Sequence, residues 1–409
     1  MHRLGKAAAL AATVLVWPWI GLTEERTLTL DQAFALARER APVLTSARTR
    51  VDEARGRLLG ASALLRENPI LESGAGLRRA AQRDSLDVAV GLAQTLELGG
   101  RRGARIAAAE ADVARASAGG DDALRLVLRD VALAFHRALH AAERLVLATA
   151  AERLAAETLR VAERRHAAGD VPILDVNVAR TALARARSGR GAAEALRDTG
   201  LGELNVLLGL GPPESVAGAR GDLAALRTFD LGELLTSARD HPDLSALQAE
   251  IREAEAGERL GGAMRWPDLG LGLRYEREEG ASVGLGTLSL TLPVFERGQG
   301  LRAESSARAR RLRQELEAGR RAAEVEVRAA FAAYGRRVEA ARELERNAVP
   351  LLDENETLAR RSYEAGALGL IELLLVRRES LEAREEYLER LLDAAVAGIE
   401  LEASAGALR

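Results

Sequence analysis

His136 and His140 stand four residues apart, a spacing that puts both imidazoles on one helix face, where a metal could bind if a third ligand arrived from elsewhere. With no cysteine in the chain, that ligand is not a thiolate. Asp175 and Glu372 are carboxylates near the starts of predicted helices, where negative charge suits the helix dipole. The Gly270-Leu271-Gly272 stretch lies in an alternating segment with no phosphate-binding helix behind it. No nucleophile triad, acid–base pair or phosphate loop stands out, so the chain reads as a non-enzyme without a cofactor or a built metal site. Its 58 basic and 61 acidic residues leave a net charge of -3, too balanced for a nucleic-acid partner.

The elements that must carry these residues are unusual for a chain of 409 residues. Hydrophobic residues make up 47% but aromatics only 3%, so Ala, Leu and Val dominate, as in thin helix-to-helix contacts. The opening residues combine His2, Arg3 and Lys6 with an apolar run over 7–20, which reads as an export leader over 1–23. That run is shorter than the roughly 20 residues a spanning helix needs, and Pro18 interrupts it. Without a cysteine, the exported N-terminus has no lipid anchor. No later stretch is apolar enough to span a bilayer as a helix, so a membrane crossing must use strands.

Shifted by roughly 200 residues, the chain matches itself from end to end. LDQAFALARERAP at 30–42 answers LGELLTSARDHP at 231–242, and Asn68-Pro69 answers Trp266-Pro267. The turn Leu98-Gly99-Gly100 answers Glu296-Arg297-Gly298, and VALAF at 131–135 answers VRAAF at 327–331. RHAAG at 165–169 with Leu174-Asp175 answers SYEAG at 362–366 with Ile371-Glu372. The Gly/Pro-rich residues from 209 form a seam, dividing the chain into a first repeat at 24–208, a linker at 209–228 and a second repeat at 229–409.

Each repeat opens with a helical segment, 30–65 and then 231–260. A proline follows, and the period changes to two. Leu86, Val88, Val90, Leu92 and Leu96 share one face of a strand, while Asp87, Ala89, Gly91, Ala93 and Glu97 share the other. The second repeat sets Leu269, Leu271, Leu273 and Tyr275 against Asp268, Gly270, Gly272, Arg274 and Glu276. In its return strand the apolar parity switches between Leu285 and Leu288, which predicts a bulge near Gly286. Strands of about 10 residues cross a bilayer when tilted. Four cannot close a barrel, and open edges in lipid cost several kcal/mol per unpaired group, so copies of the chain must share one barrel.

After each strand pair comes a long helical run, 101–168 and then 299–365, some 65 residues and about 100 Å of rod. A short Gly-containing turn returns the chain along a second helix, to about 207 and 399. Pro350 predicts a kink or a joint in the second rod.

This order of helix, strand pair, very long helix, tight turn and return helix, present twice, resembles the TolC family of outer membrane efflux proteins. TLTLDQAFALARERAPVL at 27–44, LSLTLPVFERGQG at 288–300 and YEAGALGLIELLLVRRESLEA at 363–383 are similar to family motifs, and QTLELGGRR at 94–102 resembles the CzcC-like heavy-metal branch. The resemblance implies a mostly α fold with a small β part: long antiparallel helical hairpins forming an α-barrel, plus four transmembrane strands per protomer in a trimeric 12-stranded barrel. It implies a homotrimer in the Gram-negative outer membrane, in contact with lipid, a periplasmic adaptor protein and an inner-membrane pump of the RND type. It places adaptor-contacting tips at Gly169, Asp170, Val171 and Pro172 and at Gly366, Ala367, Leu368 and Gly369. Asp175 and Glu372 then stand at the pore entrance, where a ring of carboxylates attracts cations. Some members carry a second carboxylate where this chain has Val178 and Leu375, and a basic gating residue where it has Leu368. The expected activity is passive export of solutes, heavy-metal cations foremost, with drugs or secreted polypeptides as alternative cargo. The rivals are a periplasmic coiled-coil protein with a soluble sheet cap, and a metal-binding enzyme or chaperone using His136 and His140.

Overall fold

A computed structural model describes residues 27–79 and 84–408. The leader expected at 1–23 lies outside the described residues. Short strand β1 (Thr27–Leu28) leads into α1 (Leu30–Arg40) and α2 (Pro42–Ser62), then strands β2 (Ile70–Arg78) and β3 (Ser85–Glu97). The rod α3 (Arg101–Ala167) and its return α4 (Ile173–Leu207) complete the first half. After β4 (Gly218–Ala219) come α5 (Leu231–Ser237), a 3-10 turn (Ala238–Asp240), α6 (Pro242–Ala263), and strands β5 (Asp268–Glu278) and β6 (Ala281–Thr291). The second rod is α7 (Gln299–Asn347) followed by α8 (Val349–Glu364), and α9 (Leu370–Ser404) returns.

Proline decides where helices stop. Each opening segment, expected as one helix, is two: Pro42 and Pro242 sit in the first turns of α2 and α6, where a missing N–H costs nothing. Pro350 does the same for α8, so the second rod is jointed at Ala348 while α3 runs unbroken for 67 residues, about 100 Å. The two return helices are 35 residues each, and α9 continues to Ser404, past the expected end at 399.

The helices own two private cores built from corresponding segments. Phe135, Val131 and Leu139 of α3 pack with Leu204 of α4 and Leu36 of α1. Val327, Tyr334 and Val338 of α7 pack with Leu401 of α9 and Leu234 of α5. Each such buried side chain is worth roughly 1.5–3 kcal/mol. The linker is held by a parallel clip, β1 to β4, with the Arg220 N–H donating to the Leu28 carbonyl at 2.7 Å, a pairing the sequence pattern does not reveal.

The four longer strands form one antiparallel sheet in the order β2-β3-β5-β6. Its register is continuous: Leu71 faces Leu92, Leu92 faces Leu273, and Leu271 faces Leu288. The expected bulge near Gly286 is absent, because Gly286 pairs in step with Leu273. The parity change is absorbed by side chains instead, leaving Val283 and Leu285 on the face of Glu276 and Arg274. Among the described residues no core backs the apolar face. Leu71 is 71% exposed, Leu273 73% and Leu288 74%, the reverse of a soluble sheet packed on helices.

Rods and sheet are joined by ion pairs and caps. Arg101 of α3 meets Asp268 at 2.5 Å and Arg105 meets Glu97 at 2.7 Å. Arg102 and Arg105 also donate to the last carbonyls of α2, at Ser62 and Ala61, satisfying its C-terminus.

Candidate functional site

Opposite the sheet, α3 turns into α4 and α8 into α9. Both turns close the same way. The Gly169 N–H donates to the His166 carbonyl and the Asp170 N–H to Arg165, while Gly366 and Ala367 donate to Tyr363 and Ser362. Gly169 (φ 83) and Gly366 (φ 76) hold the left-handed position such a termination needs. Gly169, Asp170, Pro172, Gly366, Ala367 and Gly369 are exposed, while Val171 and Leu368 are half-buried. Leu368 packs on the apolar cluster beneath the tips.

The fold brings the two tips together through Arg165 and Tyr363, whose types and spacing in the sequence give them no site role. Arg165, ending α3, lays its guanidinium over the Tyr363 ring at 5.0 Å and donates to the Tyr363 carbonyl at 3.0 Å. Tyr363 is buried among Ala162, Val176, Leu370 and Leu373, and its hydroxyl has no hydrogen-bond partner among the described residues. Burial pushes the Tyr363 phenol above its ordinary range; Arg165 opposes the rise and the Asp175 charge adds to it. The one signal for this contact lies in the aligned repeats, which differ here: Ser362-Tyr363 occupies the place of Arg165-His166.

Asp175 and Glu372 start the return helices but do not behave alike. Glu372 is exposed and turns back so that its carboxylate accepts the Gly369 N–H at 2.6 Å. Asp175 is half-buried, and Pro172, at the matching position, has no N–H to offer it. Of the neighbouring positions, Val178 packs into the tip cluster and Leu375 is exposed.

A depression of about 750 Å³ lies beside the tips between α3, α8 and α9, lined among others by Thr158, Arg160, Arg360, Tyr363 and Arg377. Arg377 of α9 spans its floor. It pairs with Glu356 of α8 at 2.8 Å, and reaches the Leu154 carbonyl at 3.0 Å and the Thr158 hydroxyl of α3. Both charges are mostly buried, so the contact is short and poorly screened.

The histidine pair lies mid-rod, away from the tips. His136 Nδ1 is 2.8 Å from the Ala132 carbonyl, and buried His140 points Nε2 at Glu389 of α9 across 3.4 Å. Burial lowers the pKa of both imidazoles; at His140 the Glu389 carboxylate opposes the shift and Arg144 reinforces it. Among the described residues no group of three ligating side chains gathers around them, nor anywhere else. Likewise, no described helix is long and apolar enough to cross a membrane.

The sequence matches the family model described as outer membrane efflux protein, over residues 33–210 and again over 236–407. It is 29% identical to the cobalt-zinc-cadmium resistance protein CzcC of Cupriavidus metallidurans, over 88% of this chain and 86% of that protein. It is 31% identical to the protein CyaE of Bordetella pertussis, over 78% of this chain and 70% of that one. In structure it is similar to CusC, solved in a study of folding and transmembrane channel formation, with a TM-score of 0.75 and 18% identity over 92% of this chain and 91% of that one.

Proposed function

Because the chain belongs to the outer membrane efflux protein family, and is an efflux channel protein and not an enzyme, we propose that three copies form one conduit across the periplasm and outer membrane. The carrying observation is the sheet: an uncovered apolar face and two unpaired edges, β2 and β6, on a molecule whose helices have cores of their own. In lipid both edges must find strands, and three four-stranded sheets joined edge to edge leave none open. The α3–α4 and α8–α9 hairpins then continue the wall into the periplasm. Solutes pass down their gradient, and an inner-membrane pump of the RND type supplies the energy through a periplasmic adaptor. The adaptor docks on the exposed turns, Gly169, Asp170, Val171 and Pro172 with Gly366, Ala367, Leu368 and Gly369. Asp175 and Glu372 ring the entrance and favour cations. Heavy-metal cations are the cargo, a reading supported by the likeness to the cobalt-zinc-cadmium resistance protein.

Sarkosyl extraction of membranes tests the assembly. Detergent-resistant trimers that dissociate on heating are expected, whereas a monomer in the periplasmic fraction ends the proposal. For cargo, a strain lacking the protein should become sensitive to divalent heavy metals; sensitivity to drugs alone would reassign it.

A further inference from the structure

The outward row of β3 runs from Leu86 to Leu96 with Gln94 as its one polar member, and its ten residue steps at about 3.4 Å and a tilt near 40° rise about 26 Å, close to the roughly 25 Å apolar band of such barrels. The band therefore ends below Leu96 and its partners, Leu269 on β5 and Leu290 on β6. Three residues below Leu269 stands Trp266, 48% exposed, and below Leu290 the chain continues through exposed Leu292 and Val294 to Phe295, which is 92% exposed. Three extended steps from Leu269 to Trp266 fall at most about 8 Å beneath the band, within the roughly 5–8 Å that headgroups occupy on each side of a bilayer. Phe295 is five residues past Leu290, along a path shortened by the turn in which the Val294 N–H donates to the Leu292 carbonyl at 2.9 Å. Exposed arginines accompany both aromatics. The Arg265 guanidinium lies 5.8 Å from the Trp266 ring centre, and Arg297 follows Phe295 by two. The intervening Glu296 is turned onto the Gly298 N–H at 2.9 Å.

We infer that Trp266, Phe295, Arg265 and Arg297 form a collar that binds anionic phospholipid headgroups of the periplasmic leaflet. The aromatic rings sit at the level of the acyl carbonyls and the guanidiniums hold phosphate oxygens. Three features select lipid over a protein partner. The collar continues the exposed apolar row of Leu288, Leu290, Leu292 and Val294, Trp266 lies at the depth of the headgroup layer, and the arginines complement phosphate. The inference rests on the membrane-barrel reading above.

The test is depth-resolved quenching of Trp266 in the full-length protein, reconstituted into phosphatidylcholine vesicles that carry a minor fraction of lipid brominated along the acyl chain. Trp266→Phe gives the background to subtract. Strongest quenching is expected from bromines nearest the headgroup. Brominated phosphatidylglycerol should quench as though enriched about fivefold per guanidinium over brominated phosphatidylcholine. In Arg265→Gln/Arg297→Gln that preference should vanish while heat-modifiable trimers persist, which shows the variant is folded. Equal quenching by the two headgroups, or no quenching in a protein that still forms membrane trimers, overturns the collar and leaves the barrel standing. A protein that neither inserts nor trimerises overturns the barrel reading itself.

Discussion

Gly100 and Gly298 occupy the same place in the two repeats, at the passage from strand to rod, with nearly identical backbones (φ 77, ψ 13 and φ 75, ψ 14). Their surroundings differ. A Cβ on Gly100 would meet nothing within 4 Å, whereas on Gly298 it would meet the Gly261 carbonyl oxygen at 2.2 Å and the Met264 Cβ at 2.8 Å. Alanine at either site pays the left-handed backbone cost, roughly 1–2 kcal/mol. Only at Gly298 does it add overpacking against the end of α6, about 1–3 kcal/mol more. Gly298→Ala should therefore lose roughly 5- to 150-fold more folding equilibrium than Gly100→Ala. Loss of helical ellipticity in denaturant, followed for both variants in the same detergent, measures that difference. Asparagine sharpens it: tolerant of the left-handed region, it should be nearly neutral at Gly100 and still costly at Gly298. Equal losses for the two alanines would refute the view that α6 is pressed against this joint.

Glu372→Gln should lower cation selectivity in single-channel recordings, and Asp175→Asn should lower it independently; unchanged reversal potentials for both would remove these carboxylates from the entrance. The depressed His136 and His140 pKa values mean that the unfolded chain takes up protons first. Their stabilising contribution is thus present above about pH 6.5 and lost as pH falls through and below it, so unfolding should quicken between pH 7.5 and 5.5. His140→Gln should flatten that dependence. Arg377→Ala strands the mostly buried Glu356 carboxylate and should cost about 2–4 kcal/mol, read as faster trypsin cleavage near the tips; Glu356→Gln should cost less.

Periodicity carried most of the architecture into view. The duplication, both rods, the strand pairs with their oily face and the turns at Gly169 and Gly366 were all legible, because each is a local pattern repeated in register. What stayed hidden was set by tertiary contact. The breaks at Ala41 and His241 follow from prolines that helical spacing alone runs straight through. At Gly286 the strand stays in register with Leu273, and Val283 and Leu285 fall on the other face, opposite Glu276 and Arg274. At the tips, the aligned repeats share Gly169 with Gly366 and pair Asp175 with Glu372. The packing depends on where they differ, at Arg165 and Tyr363, and on Arg377, which only the approach of α9 to α3 brings into play.

The division of cores implies an order of assembly. The rods bury Phe135, Val131, Leu204, Val327 and Leu401 within a single chain, so the helical part has its own reason to fold. Among the described residues the sheet has none: its rows of leucine face outward and β2 and β6 lack partners on one side. In the proposed trimer its stability comes from neighbouring strands and lipid, which would make it concentration- and membrane-dependent in a way the rods are not. The pairs Arg101–Asp268 and Arg105–Glu97 lie at the seam between rods and sheet and hold the two in line. Arg105→Ala should therefore leave helical content in detergent nearly intact while reducing the yield of heat-modifiable trimers several-fold. A variant that lost both in proportion would mean that rods and sheet fold as one unit.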